Sequence, residues 1–204
     1  MEFLKYLMLL FLIGDTTKCL CNGQDTDLFY PFGNEDIRSP RTDDGSSPEI
    51  LLEKPFVYFG RVNQKTYVNN NGHLTFDGPF SQPMPYYLQS QFNRDIIAPL
   101  WTDMDNTVNG TISYRQVTSG GLLLAASNNI NQYFPNLNFT ASWLFIATWD
   151  KVPYYNNLQS KSTFQVVLVS GKTCHLQSCI TVKSLRPHNF LCPAMTQVIQ
   201  LIPF

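Results

Sequence analysis

Charge is scarce in this chain. Asp, Glu, Lys and Arg make up 14% of its 204 residues and sum to a formal net charge of −1, where an average soluble protein carries roughly 25% charged residues. Without a basic surplus there is no electrostatic footprint for nucleic acid or for an anionic membrane surface. Long apolar runs are missing as well, and none approaches the roughly 18–20 residues of a membrane-spanning helix, so no membrane span is expected. Histidine occurs only 3 times. Neither a Gly-x-Ser-x-Gly elbow nor a phosphate-cradling glycine loop is present, so the chain reads as a non-enzyme with no implied cofactor. Cysteine is absent between Asn22 and Thr173, and the central domain must therefore hold together without disulfides.

What is present begins with a compartment signal. Met1 to Lys5 carries one lysine, Tyr6 to Ile13 is unbroken and apolar, and Gly14, Asp15, Thr16 and Thr17 end the run. A run this short fits a signal peptide over residues 1–21, cut after Thr17 or after Cys21, and a secreted, extracellular protein. Two sequons agree with export, at Asn109-Gly110-Thr111 and Asn138-Phe139-Thr140, each needing an exposed surface to accept a glycan. Cleavage after Cys21 leaves Cys174, Cys179 and Cys192, an odd number in an oxidising compartment. A Cys174–Cys179 or a Cys179–Cys192 disulfide is expected. The same cysteines with His188 do not match familiar zinc spacings.

Residues 22–54 form a polar segment entering the main domain, with an apolar knot at Leu28 to Gly33 and an aperiodic loop from Ser39 to Glu49. Strand-like runs follow. Lys65 to Val68 and His73 to Phe76 flank Asn69-Asn70-Asn71-Gly72, residues that tolerate the positive φ of a tight reversal and so predict a hairpin. Ile96 to Trp101 is a short buried run broken by Pro99, and Thr111 to Val117 alternates as a strand. Leu123, Ala126, Ile130 and Phe134 recur at helical spacing from Gly121 to Phe134, before Pro135. Ala141 to Trp149 and Thr163 to Val169 read as strong strands joined by a loop through Lys151 to Asn157. The pattern predicts a mainly β (α+β) fold, an antiparallel, sandwich-like domain with one or two helices.

The candidate chemistry is sparse. Asp103 and Asp105 would face one side of a strand, where their carboxylates could share a calcium ion; the alternative is a turn in which aspartate caps backbone amides. Tyr86, Tyr87, Tyr154 and Tyr155 fall in proline-bearing stretches and are candidate binding-loop residues, with packing against the sandwich as the competing role.

The ordered blocks DLFYPFG (Asp27 to Gly33), PFVYFGRVNQKTYVNNNGHLTF (Pro55 to Phe76), DIIAPLWTDMD (Asp95 to Asp105), FIATWDKVPYY (Phe145 to Tyr155) and STFQVVLVSG (Ser162 to Gly171) resemble the nidogen-like (NIDO) domain, in its tectorin-like flavour. The resemblance implies a NIDO β domain over residues 55–171 and a secreted extracellular-matrix or cell–matrix adhesion module acting by protein binding. Its partners would be matrix or cell-surface proteins, and no catalytic residue carries over. A lectin-like, calcium-dependent glycan-binding domain is the alternative. Residues 172–204 diverge from the family pattern. An unpaired sheet edge is expected there unless Ile180-Thr181-Val182 or the Val198 to Ile202 run supplies the closing strands.

Overall fold

The structure, a computed structural model, describes residues 7–9, 29–85, 94–172, 178–185 and 195–202, with side-chain surroundings over 29–85 and 94–171. In chain order the strands are β1 (Leu7–Leu9), β2 (Ile37–Arg38), β3 (Ile50–Tyr58), β4 (Arg61–Asn69), β5 (His73–Thr75), β6 (Ile96–Ala98) and β7 (Thr111–Val117). Helix α1 (Gly121–Tyr133) and a 3-10 turn (Pro135–Leu137) follow, then β8 (Thr140–Tyr154), β9 (Asn157–Lys172), β10 (Ser178–Leu185) and β11 (Met195–Ile202). They form two sheets, ordered β1-β6-β5-β4-β3 and β11-β10-β9-β8-β7-β2. All pairings are antiparallel except β1 with β6, which is parallel. β1 lies inside the stretch expected to be a signal peptide.

Local chemistry explains the hairpins. β3 and β4 are joined by Phe59 and Gly60, at φ 45° and 77°, the doubly positive two-residue turn that matches strand twist. β4 and β5 pair Asn69 with His73 and Tyr67 with Thr75 around the expected Asn–Gly reversal. There Gly72 adopts φ +82°, and a Cβ built on it would lie 1.8 Å from the Leu100 carbonyl oxygen, so this position admits no side chain.

The core is arranged in three layers. Phe56, Tyr58, Leu74 and Phe76 of the first sheet meet Trp143, Phe145, Trp149 and Phe164 of the second. The opposite face of the second sheet, with Leu144, Ile146, Val167 and Val169, is covered by Ala126 and Ile130 of α1 and by Phe139 and Tyr30. Because β8 is buried on both faces, Trp143 to Ala147 is an uninterrupted apolar run rather than an alternation. The N-terminal segment is fastened across this sheet by Gln165, which accepts a hydrogen bond from the Tyr30 amide (3.0 Å) and donates to the Tyr30 carbonyl (3.1 Å) and Thr148 Oγ1 (3.0 Å).

One reading changes. The stretch Lys151 to Asn157, expected as a loop, is mostly strand: β8 and β9 pair as far as Tyr154 with Asn157, and shifts in register at Trp149/Val152 and Pro153/Tyr154 absorb the proline. The tail supplies the closing strands, and both runs named from the sequence, Ile180 to Val182 and Val198 to Ile202, take part. β10 pairs Ser178 with Ser170 and Leu185 with Thr163, and β11 pairs with β10 along its whole length, so β9 is not left as an edge.

Candidate functional site

Three consecutive asparagines at the β4–β5 reversal are buried, with Asn69 and Asn70 at 0% and Asn71 at 1% exposure. A buried carboxamide needs partners for both its donor and its acceptor. Asn69 and Asn71 satisfy both, Asn70 satisfies its donor while its Oδ1 is left without a partner among the described residues, and the three reach different loops. Asn69 Oδ1 accepts from Ser46 Oγ (2.7 Å) and from the Phe80 amide (2.9 Å). Asn70 Nδ2 donates to the Thr42 carbonyl and to Asn106 Oδ1 (3.0 Å). Asn71 Nδ2 donates to Asp44 Oδ1 (2.6 Å), while its Oδ1 accepts from the Met104 amide (2.8 Å). From below, Trp149 Nε1 donates to the carbonyls of Asn69 and Asn70, each at 3.2 Å. The turn thus pins the segments around residues 42–46, 80 and 104–106 onto one end of the sandwich.

That end is acidic. Carboxylate oxygens of Asp43, Asp44 and Asp103 all lie within 4.8 Å of one another. Desolvation first, then the neighbouring carboxylates, pushes the carboxyls of Asp43 and Asp103 above their ordinary range. Hard oxygen donors of this kind suit calcium better than zinc. Of the two roles weighed for Asp103 and Asp105, each residue takes a different one. Asp103 gathers with Asp43 and Asp44, whereas Asp105 Oδ1 accepts from the Thr107 amide at 2.7 Å and acts as a turn cap. Beside Asp44 lies an open groove of about 480 Å³, lined by Pro40, Pro48, Pro79, Ser46 and Ser81.

The tyrosines separate. Tyr155 is exposed at the β8–β9 reversal, and its amide donates to the Asp103 carbonyl at 3.0 Å, so it borders the acidic cluster. Tyr154 is corrected from loop to strand: it is half-buried, and its hydroxyl lies 2.5 Å from Ser162 Oγ. Tyr86 and Tyr87 lie outside the described residues, as do Cys174 and Cys192; Cys179 falls in β10, where only the backbone is described. Asn109 is exposed on the bend before β7, and Asn138 is exposed after the 3-10 turn at φ 48°.

Beneath the groove, His73 is buried against Phe80 and Trp101, with ring centroids 5.6 and 4.8 Å away. Its Nε2 donates to the Phe80 carbonyl at 3.1 Å, and burial pulls its pKa down to about 4. It is a neutral packing residue.

This architecture, a two-sheet sandwich with one helix laid on its outer face, carries the five sequence blocks in order. The chain belongs to the nidogen-like domain family, whose model matches residues 64–180 and so reaches into β10. It is similar to alpha-tectorin of Mus musculus, 41% identical over 150 residues, which is 72% of this chain and 7% of that protein. Alpha-tectorin of Gallus gallus is 40% identical over 144 residues, 69% of this chain and 7% of that protein. Nidogen-2 of Mus musculus is 30% identical over 164 residues, 72% of this chain and 11% of that protein. The chain thus spans only 7–11% of the length of these curated relatives. No solved structure matches it.

Proposed function

We propose that this chain is a secreted matrix or cell–matrix adhesion module that binds extracellular proteins through its asparagine-anchored end. The carrying observation is the reversal at Asn69 to Asn71, whose three side chains fix separate loops to a single rigid platform. Preorganised loops bind without a large ordering penalty. The exposed Tyr155 and the proline-lined groove beside Asp44 offer the aromatic and apolar surface that protein recognition uses. Membership of the nidogen-like family supports the same reading, and the exposed sequons at Asn109 and Asn138 fit passage through the secretory pathway. The test is capture of matrix or cell-surface proteins by the immobilised secreted chain, compared with a Tyr155→Ala variant. Binding that weakens at least several-fold in the variant supports the assignment; equal capture by both removes this end as the binding surface.

A second reading, calcium-dependent glycan binding, is favoured by the gathered carboxylates of Asp43, Asp44 and Asp103. Glycan-array binding that appears with calcium and vanishes with a chelator would select it over the first.

A further inference from the structure

The strands that end these sheets differ in how well they are protected. β2 and β1 are only 2 and 3 residues long, and very short edges offer little template for a neighbour. β3 is longer but carries Glu53, Lys54 and Pro55, with a shift in register between Leu51 and Phe56. Its backbone is also occupied from the side: Gln116 of β7 accepts from the Glu53 amide at 2.8 Å and donates to the Leu51 carbonyl at 2.9 Å. Charge, proline, bulge and a capping side chain are the devices by which natural sheets blunt an edge.

β11 carries no charge, no proline and no bulge. It terminates the second sheet, pairs with β10 on one side, and runs regularly for 8 residues without a shift in register. Its sequence, Met195-Thr196-Gln197-Val198-Ile199-Gln200-Leu201-Ile202, contains no charged residue, no proline and no glycine. Half of it is β-branched (Thr196, Val198, Ile199, Ile202), which favours the extended state. An uncharged segment of this length and β propensity is the pattern that pairs with its own kind when it lies on an edge. Geometry selects the arrangement. A twofold axis perpendicular to a sheet turns two identical edge strands antiparallel, which continues the antiparallel order of β9, β10 and β11.

We infer that β11 is a self-association edge, and that two copies of this chain pair β11 to β11 in antiparallel register to join their second sheets into one continuous sheet. A single strand pair buries less than a standard protein interface, so the dimer is concentration-dependent, with a dissociation constant on the order of micromolar. The inference does not rest on which partner the asparagine-anchored end binds, since that turn joins β4 and β5 of the other sheet.

The test is sedimentation velocity of the secreted full chain from about 1 to 100 μM, a range bracketing that constant, under reducing and non-reducing conditions, alongside Val198→Lys and Val198→Glu variants. The wild-type chain is expected to shift from monomer to dimer with concentration in both conditions. Each variant alone, placing like charges beside the axis, is expected to stay monomeric, and mixing the two is expected to restore the dimer as a hetero-pair. That rescue requires folded chains, so it separates lost pairing from misfolding. A wild-type chain monomeric throughout, a dimer abolished by reduction, a dimer unaffected in both variants, or a mixture that remains monomeric would each overturn the inference.

Discussion

Trp149 stacks on Phe164, with ring centroids 4.7 Å apart and planes 12° from parallel, while its indole nitrogen reaches the carbonyls of Asn69 and Asn70. One side chain therefore joins the inter-sheet core to the platform turn. Trp149→Phe keeps an aromatic ring in the core but leaves two buried carbonyls without this donor, and is expected to lose about 1–3 kcal/mol. Trp149→Ala, which also opens a cavity, is expected to lose about 3–5 kcal/mol. Urea denaturation followed by far-UV circular dichroism gives both values, and a Trp149→Phe variant as stable as the wild type would show that the hydrogen bonds contribute nothing beyond the ring.

Gly72 tests the backbone of the same turn. At φ +82°, with the Leu100 carbonyl 1.8 Å from where a Cβ would sit, Gly72→Ala combines left-handed strain with a collision against main chain. The strain alone is worth about 1–2 kcal/mol, and the total is expected to exceed it. A thermal unfolding midpoint within error of the wild type would mean that the turn relaxes freely.

His73 makes stability depend on acidity. Its folded pKa of about 4 lies below the ordinary 6.5, so folding favours the neutral ring. The stability associated with it is complete above pH 6.5 and is lost progressively as pH falls toward 4, by up to about 3 kcal/mol. The slope of unfolding free energy against pH between these limits is expected to flatten in His73→Gln. An unchanged slope would assign acid sensitivity to other groups.

Asp43 and Asp103 have the opposite sense. Their raised carboxyl pKa values mean that the folded state disfavours full ionisation, so a penalty sets in as pH rises through and above the ordinary carboxylate range. Asp103→Asn is expected to raise the melting temperature slightly at neutral pH and low salt, with the gain shrinking as salt screens the cluster. Calcium is expected to raise the melting temperature of the wild type more than that of the variant if the glycan-binding reading holds. Identical calcium responses would dissociate the ion from this cluster.

Glycosylation is expected at both exposed sequons. Intact-mass measurement of chain secreted from animal cells should drop by one glycan in Asn109→Gln and by one in Asn138→Gln. The same spectrum reads the mature N-terminus and the oxidation state of the cysteines. A mass equal to the bare polypeptide would remove both sites.

Elements whose signal is local were legible. The alternation of Ile112 and Tyr114 marked β7 at Thr111–Val117, and the spacing of Leu123, Ala126 and Ile130 marked α1 to within a residue of Tyr133. Asn69 to Gly72 read as a turn because asparagine and glycine accept its backbone angles. Lys151 to Tyr154 misled, because Pro153 signals a break wherever the neighbouring strand cannot be seen to bulge around it. The full acidic cluster was not legible for a similar reason. Asp103 and Asp105 are close in sequence, but the partners of Asp103 sit in a loop whose position depends on Asn70 and Asn71.

The sequence by itself determined the class of fold and the family, since periodicity, turn chemistry and motif order are properties of neighbours along the chain. Tertiary structure alone decided which residues meet. Tyr30 and Gln165 are 135 residues apart and bond across a sheet. Asp43 and Asp103 repel one another only because a buried asparagine turn draws their loops together. The role of the tail was settled by pairing partners as well: β10 and β11 are strands because β9 offers an open row of backbone donors and acceptors, and a row of that kind is created only when the sheet assembles.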